Sequence, residues 1–215
     1  EIKRRLKWDD NGFFDNTSVI GDMSLLSQAA NYAIARFAGR RITKVLTAAV
    51  DGIPLATLVA KALGVNVVIA KPMREAGVSA FLEETYTLNG SGRTMTLYIP
   101  KNAIRRQKRM REKHQTEREA LESIKKWRAK GYEARLIGKS PSDGLYEVEI
   151  SRIYDSVLIV DDVIRTGDVQ AALVNLVKKA KAEVSGIFAL ISVGDAWKEK
   201  IRVPKGCQIE IILKL

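Results

Sequence analysis

The stretch Val157 to Val169, VLIVDDVIRTGDV, constrains this chain more than any other. Four apolar residues in a row suit a strand buried on both faces, hence a parallel sheet covered by helices. The acidic pair Asp161-Asp162 follows directly, then a turn at Thr166-Gly167, then helical residues from Val169 to Lys179. Parallel sheets bind ligands at the carboxyl edge of their strands, where this segment turns. The amides of Arg165 to Val169, with the dipole of the following helix, make a site for a phosphate. Two carboxylates beside that site would repel the phosphate but accept hydrogen bonds from a sugar diol. The pattern reads as a phosphorylated ribose held at both ends.

The same grammar occurs earlier in the chain. Lys44 to Val50 is a strand-like run broken at Asp51-Gly52; a helix from about Pro54 to Leu63 follows, stopped by Gly64. Asn66 to Lys71 is then a second buried strand, and strand, turn, helix, strand is a parallel βαβ unit. Glu183 to Val193 completes the corresponding unit after the acidic motif. From Met23 to Phe37 apolar residues recur at helical spacing, with Asp22 to cap the start and Gly39 to close the end. Arg93 to Ile99 alternates like a half-exposed strand after the Gly-rich Asn89 to Gly92, expected to be a mobile loop.

The formal net charge of +11 is not spread evenly. Lys101 to Lys130 holds twelve Lys/Arg against four Asp/Glu, so most of the excess belongs to one grafted feature. Ala103 to Lys130 is expected to be one charged helix, with Leu121, Ile124 and Trp127 as its apolar stripe and pairs such as Glu122 with Lys126 on its surface. Tyr132 to Ile137 and Leu145 to Ile150 then form a hairpin. The expected organisation is a single α/β domain over 1–215 with an inserted helix and hairpin at 101–155. Hydrophobic residues make up 46% of the chain, enough for a core, and no apolar run is long enough to cross a membrane. Glu1 to Arg5 does not begin a secretory signal. Cys207 is the only cysteine and His114 the only histidine, which fits a reducing cytoplasm and sets a zinc site aside. Abundant Lys and Arg with scarce Cys and His point to heat tolerance.

The motif resembles the fingerprint of the type I phosphoribosyltransferases: four apolar residues, two acidic, two apolar, any residue, Thr-Gly, any residue, Thr. Val157 to Gly167 match it, and Val169 replaces the last Thr. The resemblance implies that family's α/β fold, a central, mostly parallel sheet flanked by helices with a small hood. It also implies that Asp161 and Asp162 orient the ribose of phosphoribosyl pyrophosphate, while Val163, Arg165, Thr166, Gly167, Asp168 and Val169 surround its 5′-phosphate. Val169 removes a hydroxyl and Asp168 adds a negative charge, so weaker anchoring is expected, with the backbone amides kept. Ala48 to Ala56, AAVDGIPLA, resembles the family's pyrophosphate loop. There a non-proline cis peptide is implied, at Val50-Asp51, with Asp51 and Gly52 contributing backbone. Lys71 falls where the family places a basic residue beside the same pyrophosphate.

Glu83 to Ile99 stands where the family has its catalytic hood loop, so Arg93 could close over the pyrophosphate and Glu84 or Tyr86 reach the base. Trp197 could stack on that base. The implied reaction displaces pyrophosphate from the ribose C1 by a ring nitrogen of a base, with Mg2+ held largely by substrate oxygens and no dedicated metal residues. A cytoplasmic homodimer with no membrane contact is implied. The hypoxanthine–guanine branch carries Asp where Arg165 stands, and a Lys where Leu190 to Val193 has none. Both absences lean toward a purine site of adenine type. The alternative is a regulator of the same fold that senses phosphoribosyl pyrophosphate or purines and binds nucleic acid through the basic segment. No helix-turn-helix, zinc module or aromatic-rich sheet motif supports it.

Overall fold

The computed structural model describes residues 1–10, 14–88, 92–104, 109–152 and 155–215. The chain divides into two compact units, Glu1–Ile104 with Asp155–Leu215, and Arg105–Tyr154. The first unit opens with α1 (Ile2–Arg5), β1 (Lys7–Trp8), β2 (Phe14–Asp15), α2 (Thr17–Ile20) and α3 (Met23–Arg36). It continues through β3 (Lys44–Ala48), α4 (Ile53–Leu63), β4 (Asn66–Ala70), β5 (Phe81–Thr87) and β6 (Thr94–Pro100). The second unit holds β7 (Arg109–His114), α5 (Glu117–Ala129), β8 (Tyr132–Lys139) and β9 (Tyr146–Arg152). The first unit then resumes with β10 (Ser156–Ile164), α6 (Asp168–Lys179), β11 (Glu183–Ser192), α7 (Trp197–Lys200) and β12 (Gln208–Lys214).

Five strands in the order β12-β11-β10-β3-β4, all parallel, form the central sheet. Its strands are apolar on both faces because both faces are covered. In β10, Val157 and Ile159 pack with Ala172, Leu173 and Leu176 of α6, while Leu158 and Val160 pack on the opposite face with Leu26 and Ala30 of α3 and Leu55 and Val59 of α4. β5 and β6 form an antiparallel hairpin. It joins the edge of the sheet through mutual backbone bonds of Lys71 and Tyr98, at 3.0 and 2.8 Å. Helix α3 starts where expected: the Asp22 side chain accepts from the Leu25 amide at 2.9 Å. Gly64 closes α4 in the left-handed region at φ 67°. After Val193 the chain adds a further strand, β12, which pairs in parallel with β11.

The second unit corrects the expected long helix. Arg109–His114 is a strand, paired antiparallel with β9, which also pairs with β8. Met110, Glu112 and His114 are half-buried while Arg111 and Lys113 are exposed, a period of two that belongs to a sheet. The helix begins only at a capping box, in which the Thr116 side chain accepts from the Glu119 amide and the Glu119 carboxylate accepts from the Thr116 amide. Its inward residues are Ala120 and Ile124, with Trp127 at their edge; Leu121 is exposed. Asn89 to Ser91, in the segment expected to be a mobile loop, lie outside the described residues. Among the described residues no helix is long and apolar enough to cross a membrane.

Gly186, in mid-β11, lies against the ring of Phe37 at the end of α3. A Cβ there would stand 2.2 Å from Phe37 Cε1 and 3.0 Å from the Gln208 carbonyl oxygen. Gly186→Ala should therefore destabilise the first unit by about 1–3 kcal/mol through overpacking, read as a lower urea midpoint.

Candidate functional site

β10 runs out of the core at Asp161-Asp162 and ends at Ile164. The chain then turns through Arg165 to Gly167, with Gly167 at φ 80° as the N-cap of α6. Glycine is required here twice over. The left-handed conformation disfavours any side chain, and a Cβ would meet Trp197 Cα and Cβ at 3.0 Å and Ile201 Cγ1 at 3.1 Å. The first amides of α6 are thereby aimed out of the sheet's carboxyl edge, with the helix dipole behind them. Beside this turn the β3–α4 loop, Ala49 to Gly52, leaves the neighbouring strand. The two loops and the β5–β6 hairpin enclose a cleft of about 530 Å³.

Asp161 and Asp162 form the floor, 6% and 8% exposed. Asp161 is fully engaged: it accepts from Gln170 Nε2 at 2.6 Å and from the Asp162 amide at 3.1 Å. Burial, followed by the adjacent charge of Asp162, holds its carboxyl well above the usual carboxylate range. Asp162 accepts from the side-chain amide of Asn16. Gly52 presses on this floor, since a Cβ there would stand 2.4 Å from Thr47 Oγ1 and 2.6 Å from Asp161 Oδ1. Only a residue without a side chain lets the loop approach. Asp51, beyond it, is raised by burial and then by the Asp162 charge.

The structure brings together most of the residues expected from sequence. Val50, Asp51 and Gly52 line one side of the cleft, and Asp161, Asp162 and Val163 the floor. Arg165, Thr166, Gly167, Asp168 and Val169 line the other side. Val50 is 73% exposed. The cis peptide lies at Ala49-Val50, one bond before the expected Val50-Asp51. Asp168 is not a free charge on the turn: it accepts from the Thr166 hydroxyl at 2.7 Å and pairs with Lys200.

Four expected residues stand elsewhere. Lys71 is drawn into an ion pair with Glu75 at 2.9 Å and does not line the cleft. Glu84 faces α6, pairing with Lys179 at 2.6 Å and accepting from Asn175 Nδ2 at 2.8 Å, so it docks the hairpin and does not reach a base. Arg93 also does not line the cleft; its carbonyl accepts from the Leu88 amide at 2.9 Å to close the hairpin. Trp197 is buried, donates to the Gly194 carbonyl at 3.0 Å and backs Gly167, so its ring is core packing and not a stacking platform.

Tyr86, the other expected residue of this strand, does line the cleft, and the structure adds Asn16 and the apolar wall Leu88, Met95 and Leu97. Tyr86 shares the inward face of β5 with Glu84, one step nearer the cleft; its hydroxyl is raised by burial and then by the charges of Asp161 and Asp168. Arg165 lies over the Phe14 ring, 4.3 Å from its centroid. No local pattern marks Asn16, because its partner Asp162 is 146 positions away.

No family model matches the chain. It is 25% identical over 220 residues to the xanthine phosphoribosyltransferase of Clostridium novyi, covering 97% of this chain and 90% of that protein. It is 23% identical over 180 residues to the purine biosynthesis transcriptional repressor PurR of Bacillus subtilis, covering 84% of this chain and 47% of the repressor. Among solved structures, the adenine phosphoribosyltransferase of Thermoanaerobacter pseudethanolicus superposes with a TM-score of 0.68 at 19% identity, over 100% of this chain and 98% of that one. That last likeness speaks to the fold alone. The sequence likeness to a phosphoribosyltransferase runs nearly the length of both chains, and the fold is that of the type I phosphoribosyltransferases, with the acidic motif on the floor of the cleft.

Proposed function

We propose that the cleft transfers the 5-phosphoribosyl group from phosphoribosyl pyrophosphate to a purine base, releasing pyrophosphate. One observation carries this reading: a carboxylate pair lies on the cleft floor between a helix N-terminus and a second loop of exposed backbone. The first-turn amides of α6 hold the 5′-phosphate. Asp162 accepts hydrogen bonds from the ribose hydroxyls, steadied by Asn16. Asp161 is a positioning residue, since both its oxygens are engaged and Gly52 leans on it. The loop from Val50 to Gly52 holds the departing diphosphate by its backbone, and the apolar wall at Met95 and Leu97 excludes water.

Mg2+ fits this site as a substrate-borne ion. Among the described residues no cluster of three His, Cys, Asp or Glu would hold a metal alone. Asp51 and Asp162 are close enough for one charge to raise the other's carboxyl, a field that a divalent cation would relieve. When bound, the ion would neutralise charge growing on the diphosphate. Adenine is the favoured base, because Arg165 stands before the motif Thr and Leu190 to Val193 carries no Lys. A homodimer is the expected assembly.

A regulator is the second reading, favoured by the likeness to a repressor over 84% of the chain. Its basic segment is weakened as a phosphate-binding row among the described residues. Arg111 and Lys113 pair with Glu147 at 3.6 and 3.5 Å.

Pyrophosphate release should appear with phosphoribosyl pyrophosphate, Mg2+ and one of adenine, hypoxanthine, guanine or xanthine, and not with orotate or uracil. Silence with every base, alongside duplex DNA binding that responds to phosphoribosyl pyrophosphate, would favour the regulator. Asp162→Asn should cut turnover by about 10²–10³-fold with little change in the urea midpoint. Equal losses in both would make the pair structural. The Asp161 carboxyl keeps its proton to higher pH when folded than unfolded, so its contribution to stability is complete below about pH 4 and is lost as pH rises through the folded value. Asp161→Asn should accordingly unfold at higher urea than the native chain at pH 7, the gap narrowing toward pH 4. A gap that ignores pH would contradict this assignment.

A further inference from the structure

We propose that Lys200 is a positioning residue of the 5′-phosphate site, offsetting the negative side chain that the phosphate turn carries; the inference rests on the functional reading given above. Asp168 is the first residue of α6 and only 6% exposed. One carboxylate oxygen accepts from the Thr166 hydroxyl at 2.7 Å, and the other takes the ammonium of Lys200. A carboxylate at this place is stabilised by the same helix dipole that would attract a phosphate. Left uncompensated it would compete with the ligand and repel it, since a carboxylate so buried is weakly screened. Lys200 removes that repulsion without entering the cleft, whose lining does not include it.

The surrounding packing aims Lys200 at this carboxylate. Trp197 and Ile201, three residues before and one after it, lie against the position of Gly167. Lys178, near the far end of α6, donates to the Arg202 carbonyl at 3.0 Å. The segment from 197 to 202 is thus attached to α6 at both ends, and the ammonium lies beneath the turn. Thr166 gains a fixed acceptor for its hydroxyl proton, which turns its lone pairs away from Asp168.

The test measures binding of ribose 5-phosphate and, separately, of Mg2+-pyrophosphate to the full chain by calorimetry. Lys200→Met should weaken ribose 5-phosphate about tenfold or more, leaving Mg2+-pyrophosphate within about threefold of native. Adding Asp168→Asn to that variant should restore ribose 5-phosphate to within about threefold, because the amide oxygen still accepts from Thr166 and the charge is gone. Lys200→Arg should bind as the native chain does. A purely structural role predicts joint weakening of both ligands and no restoration, and either result overturns the proposal. Unchanged binding in Lys200→Met overturns it alone. A native chain that ignores ribose 5-phosphate overturns the functional reading, and this inference with it.

Discussion

A carboxylate pressed against a glycine is the contact on which the cleft depends. Asp161 leaves the core on β10, gives one oxygen to Gln170 and the other to the amide of its neighbour, and presents no room for a side chain at residue 52. That contact couples two loops leaving adjacent strands. The first carries the acidic motif and the turn into α6; the second carries the exposed backbone of Val50 to Gly52. Burial and the adjacent charge of Asp162 hold the Asp161 carboxyl well above the usual carboxylate range, which favours its uncharged form against a bare backbone. Asp162, the adjacent carboxylate, lines the cleft beside Asn16, so the two acids differ in their surroundings.

The phosphate turn shows a related balance of charge. Seen in sequence, Asp168 and Val169 suggest a poorer anion site than the fingerprint specifies. In the fold, the carboxylate is tied to Thr166 and Lys200, and the valine side chain packs against the core cluster beneath α6. The departure is therefore absorbed by residues some 30 positions later in the chain.

The strands, α4 and the acidic motif were legible because they obey local rules: apolar runs for a sheet covered twice, glycine at positive φ after helices, and acids just before a helix start. Chain order places Lys71, Glu84, Arg93 and Trp197 near the site, yet none of them lines the cleft: Lys71 pairs with Glu75, Glu84 with Lys179, and Trp197 backs Gly167. Asn16 is the opposite case, unmarked by any local pattern yet set beside Asp162 by the fold. The strand at Arg109–His114 was hidden because its buried face carries Glu112 and His114 beside Met110, so its alternation is written in polarity too weak to read. Glu112 is comfortable there only because Ser123 and Trp127 donate to it, at 2.6 and 3.0 Å.

The described residues that line the cleft all belong to the first unit. The second unit has its own apolar centre, formed by Ala120, Ile124, Ala134, Val148 and Ile150. The cleft and the apolar centre of the second unit therefore draw on separate sets of described side chains, so a substitution in one need not repack the other.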